Sequence, residues 1–169
     1  MRSLKLIFFI FIIALSWTGC RKRGIEISGE TGVDRRTNLT WQLNISDKRM
    51  NYFEALNYCR NLDYAGHNDW RLPTISELRT LIKNCRYTRV GGSCKVTDKC
   101  LKRDNCWSED CRKCPGENTG KYSLFEDTAW FWSSSQRMDT INIAWVVKFF
   151  RGSIGNRHVT LKGRVRCVR

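Results

Sequence analysis

The cysteines are the residues of this chain whose number and spacing first suggest chemistry. There are nine among 169 residues, which is too many for an ordinary cytosolic protein. Two cysteines at the spacing of Cys111-Arg-Lys-Cys114 can share a metal ion or exchange disulfides. In an oxidising compartment, with four more cysteines close by, the same pair is more simply structural. We therefore keep a redox or metal enzyme based on Cys-x-x-Cys as a second alternative only.

Other catalytic or metal-binding groups are sparse. The chain has two histidines, and we interpret His67 as a surface-loop residue, while His158 has no evident partner. Neither a Ser-His-Asp order nor a Gly-x-Ser-x-Gly turn is present. Asn68-Asp69 and Glu126-Asp127 could offer oxygen atoms, but calcium needs six to eight of them. We predict a protein without catalytic activity, cofactor or metal site, in which calcium-dependent sugar binding is disfavoured.

The basic residues indicate a different kind of chemistry. Lys and Arg number 30 against 16 Asp and Glu, for a net charge of +14. Outside a cell such a charge attracts acidic or sulfated glycans and other envelope polyanions rather than nucleic acid, although a solvated surface with no specific partner is the simpler alternative. Trp107 lacks aliphatic neighbours, and we expect it to be an exposed contact. The candidate ligand-binding residues are Trp107, Lys102, Arg103, Arg112, Lys113, Arg151 and Arg157.

The first twenty residues decide the compartment. Two basic residues precede the apolar run 6–15, which as a helix covers about 15 Å and is too short for a membrane span. We predict a lipoprotein signal peptide over 1–19, because Thr18-Gly19-Cys20 resembles a bacterial lipobox despite Trp17. Cys20 would then carry lipid and anchor an exported protein to the cell envelope, at the outer membrane or cell surface. Ordinary cleavage nearby and an uncleaved anchor remain alternatives.

Two helices are predicted in the first half of the chain, after a polar tether over 20–36 and a short strand within 37–43. Asn51 and Glu54 form a capping-box pattern that opens a helix over 51–62, with Cys59 on its buried stripe. A second capping box begins at Thr74. The apolar stripe that follows it consists of Ile75, Leu78, Leu81 and Ile82.

Strands dominate the second half. We predict strands at 129–135 and at 141–149, where alternation indicates one buried face. A hairpin turn at 151–153 and a last strand over 164–168 follow. The four tryptophans that we assign to the core are Trp70, Trp130, Trp132 and Trp145. Early helices and late antiparallel strands predict an α+β protein.

Residues 85–116 form a distinct, cysteine-rich insertion. Its few aliphatic residues cannot bury enough apolar surface to hold it, so cross-links must do so. The six cysteines within it are Cys85, Cys94, Cys100, Cys106, Cys111 and Cys114. With Cys20 assigned to lipid, eight cysteines remain for four disulfides.

Five motifs, in this order, resemble the Lcl C-terminal domain family. They are Leu39-Thr-Trp-Gln42, Asn51-Tyr-Phe-Glu-Ala-Leu-Asn-Tyr-Cys59, Asn68-Asp-Trp-Arg-Leu-Pro-Thr-Ile-Ser-Glu-Leu78, Trp132-Ser-Ser-Ser135 and Val165-Arg-Cys-Val-Arg169. The resemblance covers roughly 31–169, and we place the domain at 37–169.

The resemblance implies a C-type-lectin-like fold of two helices and a looped antiparallel sheet, closed by a Cys59–Cys167 disulfide. The other six cysteines then have 15 possible pairings, among which the sequence does not choose. Arg71 and Arg166 match family motif positions, and we interpret both as structural residues that pair with acids such as Asp69.

The adhesin for which the family is named binds sulfated polysaccharide. We therefore expect a non-catalytic, adhesin-like envelope module that recognises an anionic polysaccharide. The alternative from a different class is a module that binds protein partners through the cysteine-rich loop.

Overall fold

The computed structural model describes residues 24–112, 114 and 120–169. The predicted signal peptide 1–19, the lipidation site Cys20 and the candidate ligand residue Lys113 lie outside the described residues. Within the described part of the chain, no helix is long and apolar enough to cross a membrane. The architecture is α+β, as predicted: a few short helices and two three-stranded antiparallel sheets.

The first sheet is built at the amino-terminal end. Its strands are β1 (Glu26–Ser28), β2 (Thr31–Asp34) and β3 (Leu39–Gln42), in that order across the sheet. Residues 26–34, which we predicted to be part of a tether, instead form a hairpin, because Gly29 adopts the positive φ of 57° that this tight turn requires. The domain therefore begins closer to Cys20 than the sequence indicated.

The helices follow the capping boxes. In α1 (Tyr52–Arg60) the side chain of Asn51 accepts from the Glu54 N–H while the Glu54 carboxylate accepts from the Asn51 N–H. The same reciprocal pair, Thr74 and Glu77, opens α2 (Ile75–Arg79). This second helix is shorter than its apolar stripe suggested. Leu81 and Ile82 are nevertheless buried beyond its end, so the chain keeps their core position without the helix.

The second sheet divides the core. Its strands are β4 (Trp130–Gln136), β5 (Ile143–Lys148) and β6 (Ser153–His158), with β5 in the centre. The prediction of one buried face for β5 is wrong, because Ala144 and Val146 are as buried as Trp145 and Val147. The reason is that both faces of the sheet are covered, by two separate apolar clusters.

Three of the four tryptophans assigned to the core are fully buried, namely Trp70, Trp132 and Trp145. Trp130 is only half-buried, and its ring packs edge-on against Trp132 with 5.0 Å between centroids.

The carboxyl-terminal segment closes the fold. Instead of one continuous strand over 164–168, it makes isolated bridges to β3, β4 and the segment at Arg71. The Gln42 N–H donates to the Cys167 carbonyl over 3.0 Å. The expected Cys59–Cys167 disulfide is present, with 5.4 Å between Cα atoms, and it ties α1 to the last residues of the chain.

Candidate functional site

The cysteine-rich insertion is held by three disulfides. The pairs are Cys85–Cys114, Cys94–Cys111 and Cys100–Cys106. The two members of the Cys-x-x-Cys sequence thus belong to different bridges and not to one redox pair. Every cysteine among the described residues is disulfide-bonded, and the described residues contain no group of three side chains able to hold a metal ion.

A buried arginine organises the same insertion. Arg79, the last residue of α2, is 3% exposed, and its guanidinium donates to the carbonyl oxygens of Thr88, Arg89, Cys94 and Val96. Burial lowers the pKa of this guanidinium below its usual value. No ion pair within the described residues balances the charge. The insertion therefore folds around a cation supplied by the body of the domain, in addition to its disulfides.

Trp107 attaches the insertion to the edge of the second sheet. It follows α3 (Arg103–Cys106), and its indole Nε1–H donates to the carbonyl oxygen of Ile154 over 3.0 Å. Ile154 lies on β6, which is an edge strand, so the indole covers part of an edge that would otherwise be open. Trp107 is half-buried rather than freely exposed. The expectation of an exposed contact thus requires correction, because the ring packs against the core.

Arginines surround this indole. The guanidinium carbon of Arg103 lies 5.1 Å from the Trp107 ring centroid and that of Arg112 lies 5.5 Å from it. Arg112 ends a 3-10 helix (Glu109–Arg112) and also pairs with Glu109 at the exposed surface. Guanidinium groups at such distances are attracted by the ring quadrupole. The indole therefore positions two cations along the β6 edge.

Lys148 joins this group from the sheet. It is half-buried at the end of β5, and a Cβ at Gly155 on the neighbouring strand would lie 3.2 Å from its Nζ. Burial, together with the charges of Arg157, Arg151 and Arg112, lowers the pKa of the Lys148 ammonium. No carboxylate in the described ranges forms an ion pair with it. Four cations thus lie close enough to repel one another.

A second half-buried indole, that of Trp130, lies on the same face of the sheet as Lys148, whereas Trp107 packs against the apolar cluster of the opposite face. Trp130 is the cross-strand partner of Lys148, and the guanidinium carbon of Arg157 lies 6.0 Å from its ring centroid. We name the set that these contacts bring together the basic face. It consists of Arg103, Trp107, Arg112, Trp130, Lys148, Arg151 and Arg157.

Most of the ligand residues expected from sequence belong to this basic face. Lys102 is exposed just before α3, and no described contact joins it to the face. Lys148 and Trp130 are the two members that sequence reasoning did not select as ligand residues. For Lys148 the available signal in the sequence was its position at the end of the alternating strand. For Trp130 the sequence offered no signal, because only the pairing of β4 with β5 places it beside Lys148.

The two arginines that we interpreted as structural are engaged in ion pairs, although with other acids than Asp69. Arg71 pairs with Glu77 at 2.6 Å. Arg166 is buried and pairs with Asp127 at 2.7 Å, while Asp69 pairs with Arg169. The Arg166 guanidinium also donates hydrogen bonds to the carbonyl oxygens of Gln42, at the end of β3, and of Leu43. Neither side chain belongs to the basic face.

Comparison with known proteins gives one family match. The model of the Lcl C-terminal domain matches residues 30–169. No curated protein matches the chain. The matched segment begins after β1, so it contains every other strand of the two sheets and the whole basic face.

Proposed function

We propose that this chain, which belongs to the Lcl C-terminal domain family, is a non-catalytic cell-envelope module that binds an anionic polysaccharide on the basic face. The observation that carries this proposal is the presence of three arginines, Arg112, Arg151 and Arg157, around the half-buried amine of Lys148. Like charges this close lower the stability of the free protein. A bound polyanion would relieve that repulsion.

The chemistry of the basic face suits a sulfated or carboxylated glycan. Guanidinium groups make bidentate, charge-assisted hydrogen bonds to such anions. The half-buried rings of Trp107 and Trp130 offer apolar surface beside those cations, on which a sugar ring can stack. Charge and flat aromatic surface together distinguish this face from a merely solvated basic surface.

The envelope location is part of the proposal. It is supported by the signal-peptide pattern of 1–19 and by the lipobox-like Cys20. With β1 beginning at Glu26, five residues separate Cys20 from the sheet. A lipid at Cys20 would hold β1 close to the membrane surface, because five residues span at most about 18 Å.

A C-type-lectin-like fold is the finer architecture that we infer. It is supported by two early helices, antiparallel sheets and a disulfide that joins α1 to the chain terminus. The partition of Cys111 and Cys114 between two disulfides supports a binding module over the redox alternative. The protein-partner alternative becomes the preferred hypothesis if no anionic glycan binds.

The proposal is tested by measuring the affinity of the purified protein for heparin and for uncharged dextran over a range of salt concentrations. We expect heparin to bind at low salt and to dissociate as salt screens the charges, and dextran not to bind. The double substitution Arg112→Gln with Arg157→Gln should weaken heparin binding at least about tenfold, because each arginine supplies charge-assisted hydrogen bonds.

The matched control is Arg49→Gln with Arg60→Gln, which removes the same charge from exposed positions outside the basic face. An equal loss of affinity in the two double variants would show that only net charge matters. Equal competition by dextran would refute the proposal outright.

The pH dependence of binding gives a second test. Because the pKa of Lys148 is lowered from its usual value of 10.5, this amine loses its charge at a lower pH than other lysines. Heparin binding should therefore start to weaken below pH 10.5 in the natural protein. The variant Lys148→Arg, which stays charged, should retain its affinity over the same interval. Identical pH profiles would remove Lys148 from the site.

A further inference from the structure

A groove beside α1 is unconnected with the chemistry of the basic face. Its volume is about 600 Å³, within the roughly 300–1,000 Å³ that small-ligand sites occupy. One wall is α1 and the other is the segment that precedes it. The lining residues are Lys48, Met50, Glu54, Asn57, Tyr58, Asn61, Leu62 and Asp63.

The helix presents a regular polar stripe to this groove. Glu54, Asn57, Tyr58 and Asn61 are spaced by three and four residues, so they lie on one face of α1. Another stripe of the same helix, which includes Ala55 and Cys59, is buried in the core. The helix thus has one face buried in the core and a second, polar face that lines the groove.

Local structure accounts for some of these side chains. Glu54 completes the amino-terminal capping box and Asn61 is the carboxyl-terminal cap. Asn57 has no such role, since it lies within a helix of nine residues, where asparagine is a poor helix former. Its side chain is exposed, and its Oδ1 accepts a hydrogen bond from Arg60. A residue that weakens its own helix is expected at a functional position.

The groove has an apolar part and a polar rim. Met50 is buried, and Tyr58 and Leu62 are half-buried. The Tyr58 hydroxyl accepts from the Gln42 side chain over 2.9 Å, which fixes the position of the ring. Asp63 and Lys48 are exposed at the rim and, within the described part of the chain, neither forms an ion pair.

The charge of the groove is opposite to that of the protein. Glu54 and Asp63 against Lys48 leave one net negative charge, in a chain whose total is +14. A polyanion is therefore disfavoured here. The groove is instead suited to a ligand that has both hydroxyl groups and an apolar ring face. Each ligand hydroxyl can donate to a carboxylate or amide oxygen and accept from an amide N–H, while the ligand ring packs on the tyrosine ring.

We propose that this groove binds a short oligosaccharide of uncharged sugars, with Asn57, Asn61 and Asp63 as hydrogen-bonding residues and the Tyr58 ring as the apolar contact. This site acts independently of the basic face. A glycan that carries both charged and uncharged sugars could engage each site by a different part.

The test is saturation-transfer NMR on the full-length protein in detergent micelles, with triacetylchitotriose, maltotriose and mannotriose as probes. The salt concentration is 0.5 M, at which binding through surface charges is largely screened. We expect at least one trisaccharide to bind, and Asn57→Ala combined with Asp63→Asn to weaken it about tenfold or more. Alanine at position 57 favours the helix, so the variant should fold.

Two controls locate the binding. Asn68→Ala removes an exposed amide elsewhere and should leave trisaccharide binding unchanged, as should Arg112→Gln with Arg157→Gln. No binding of any of the three probes, or binding that Asn57→Ala with Asp63→Asn does not alter, overturns the proposal. Heparin binding at low salt is measured in the same preparations, so failure of the groove and failure of the basic face are separate results.

Discussion

The sheet β4–β6 and the cysteine-rich insertion are stabilised in opposite ways. The sheet packs large side chains on both faces, such as Trp132 on one face and Trp145 on the other, each fully buried. The insertion has two helical segments of four residues each, and it depends on three disulfides and on the carbonyl contacts of Arg79. Its few buried apolar side chains, such as Val96, join the cluster on one face of the sheet, and covalent and polar bonds supply the rest of its stability.

The two regions also contribute differently to the basic face. Lys148 and Arg157 stand on strands whose positions the core determines, whereas Arg103, Trp107 and Arg112 depend on the insertion. Loss of the insertion should therefore remove three of the seven residues of the face.

The largest expected effect concerns the disulfides. Replacing Cys59 and Cys167 by serine removes a bridge with a sequence separation of 108. In the chain-entropy description such a loop contributes about 4.7 kcal/mol. Replacing Cys100 and Cys106, which are six residues apart, should lower the free energy of unfolding by only about 2 kcal/mol. Urea denaturation measures both, and equal losses would contradict loop length as the cause.

The next largest effect is the loss of stability when a buried arginine, Arg166 or Arg79, is replaced. Arg166→Met leaves the carboxylate of Asp127 buried without its partner, which should cost about 3–5 kcal/mol for the whole domain. Arg79→Met leaves four carbonyl oxygens of the insertion without their donor, and we expect the loss to be confined there. Hydrogen exchange should then rise within 85–112 and stay slow in β5.

The control for both substitutions is Arg60→Met, an exposed change that should alter stability by less than about 0.5 kcal/mol. Fast exchange throughout the sheet of the Arg79→Met variant would show that the insertion and the sheet unfold as one unit.

A smaller effect is expected at the contact between the two regions. Trp107→Phe retains the ring that faces Arg103 and Arg112 but removes the N–H that donates to Ile154. The expected loss is about 1 kcal/mol, the usual net contribution of one hydrogen bond. Thermal denaturation measures it. Heparin affinity should be nearly unchanged in Trp107→Phe and clearly reduced in Trp107→Ala. Equal reductions of heparin affinity in the two variants would mean that the indole N–H, and not the ring, positions the arginines.

The smallest effect is the pH dependence of the Arg71–Glu77 pair, which joins α2 to the segment before it and lies outside the insertion. Burial raises the pKa of Glu77, but the hydrogen bonds from Arg71 and Thr74 outweigh it and hold the pKa below its usual 4.5. Because the folded-state pKa is the lower one, the carboxylate stabilises the fold above about pH 4.5, and this contribution is lost as the pH falls.

Near neutral pH, Glu77→Gln should therefore be less stable than the natural protein by up to about 1 kcal/mol. Denaturation at a series of pH values should show the difference shrinking in acid. A difference that stays constant down to about pH 3 would contradict the ion pair as its source.

Local signals predicted α1, α2 and the strands β3, β4 and β5 correctly, but they missed β1, β2 and β6. Both capping boxes formed, because their partners are three residues apart and need no tertiary contact. The hairpin of β1 and β2 was missed since its apolar content is low and only pairing with β3 makes it a strand. The exposure of Trp107 was misjudged, because a lack of aliphatic neighbours in sequence does not reveal a sheet edge in space.

The sequence by itself determined the α+β class and the family, since motif order and helical spacing are properties of the chain, and the family resemblance in turn implied the disulfide between Cys59 and Cys167. Only the tertiary structure decided the pairing of the other six cysteines, the placement of Lys148 beside Arg112, Arg151 and Arg157, and the groove along α1. Those features join residues far apart in the chain. Their distances depend on how the insertion packs on the edge of the sheet, and no local pattern encodes that packing.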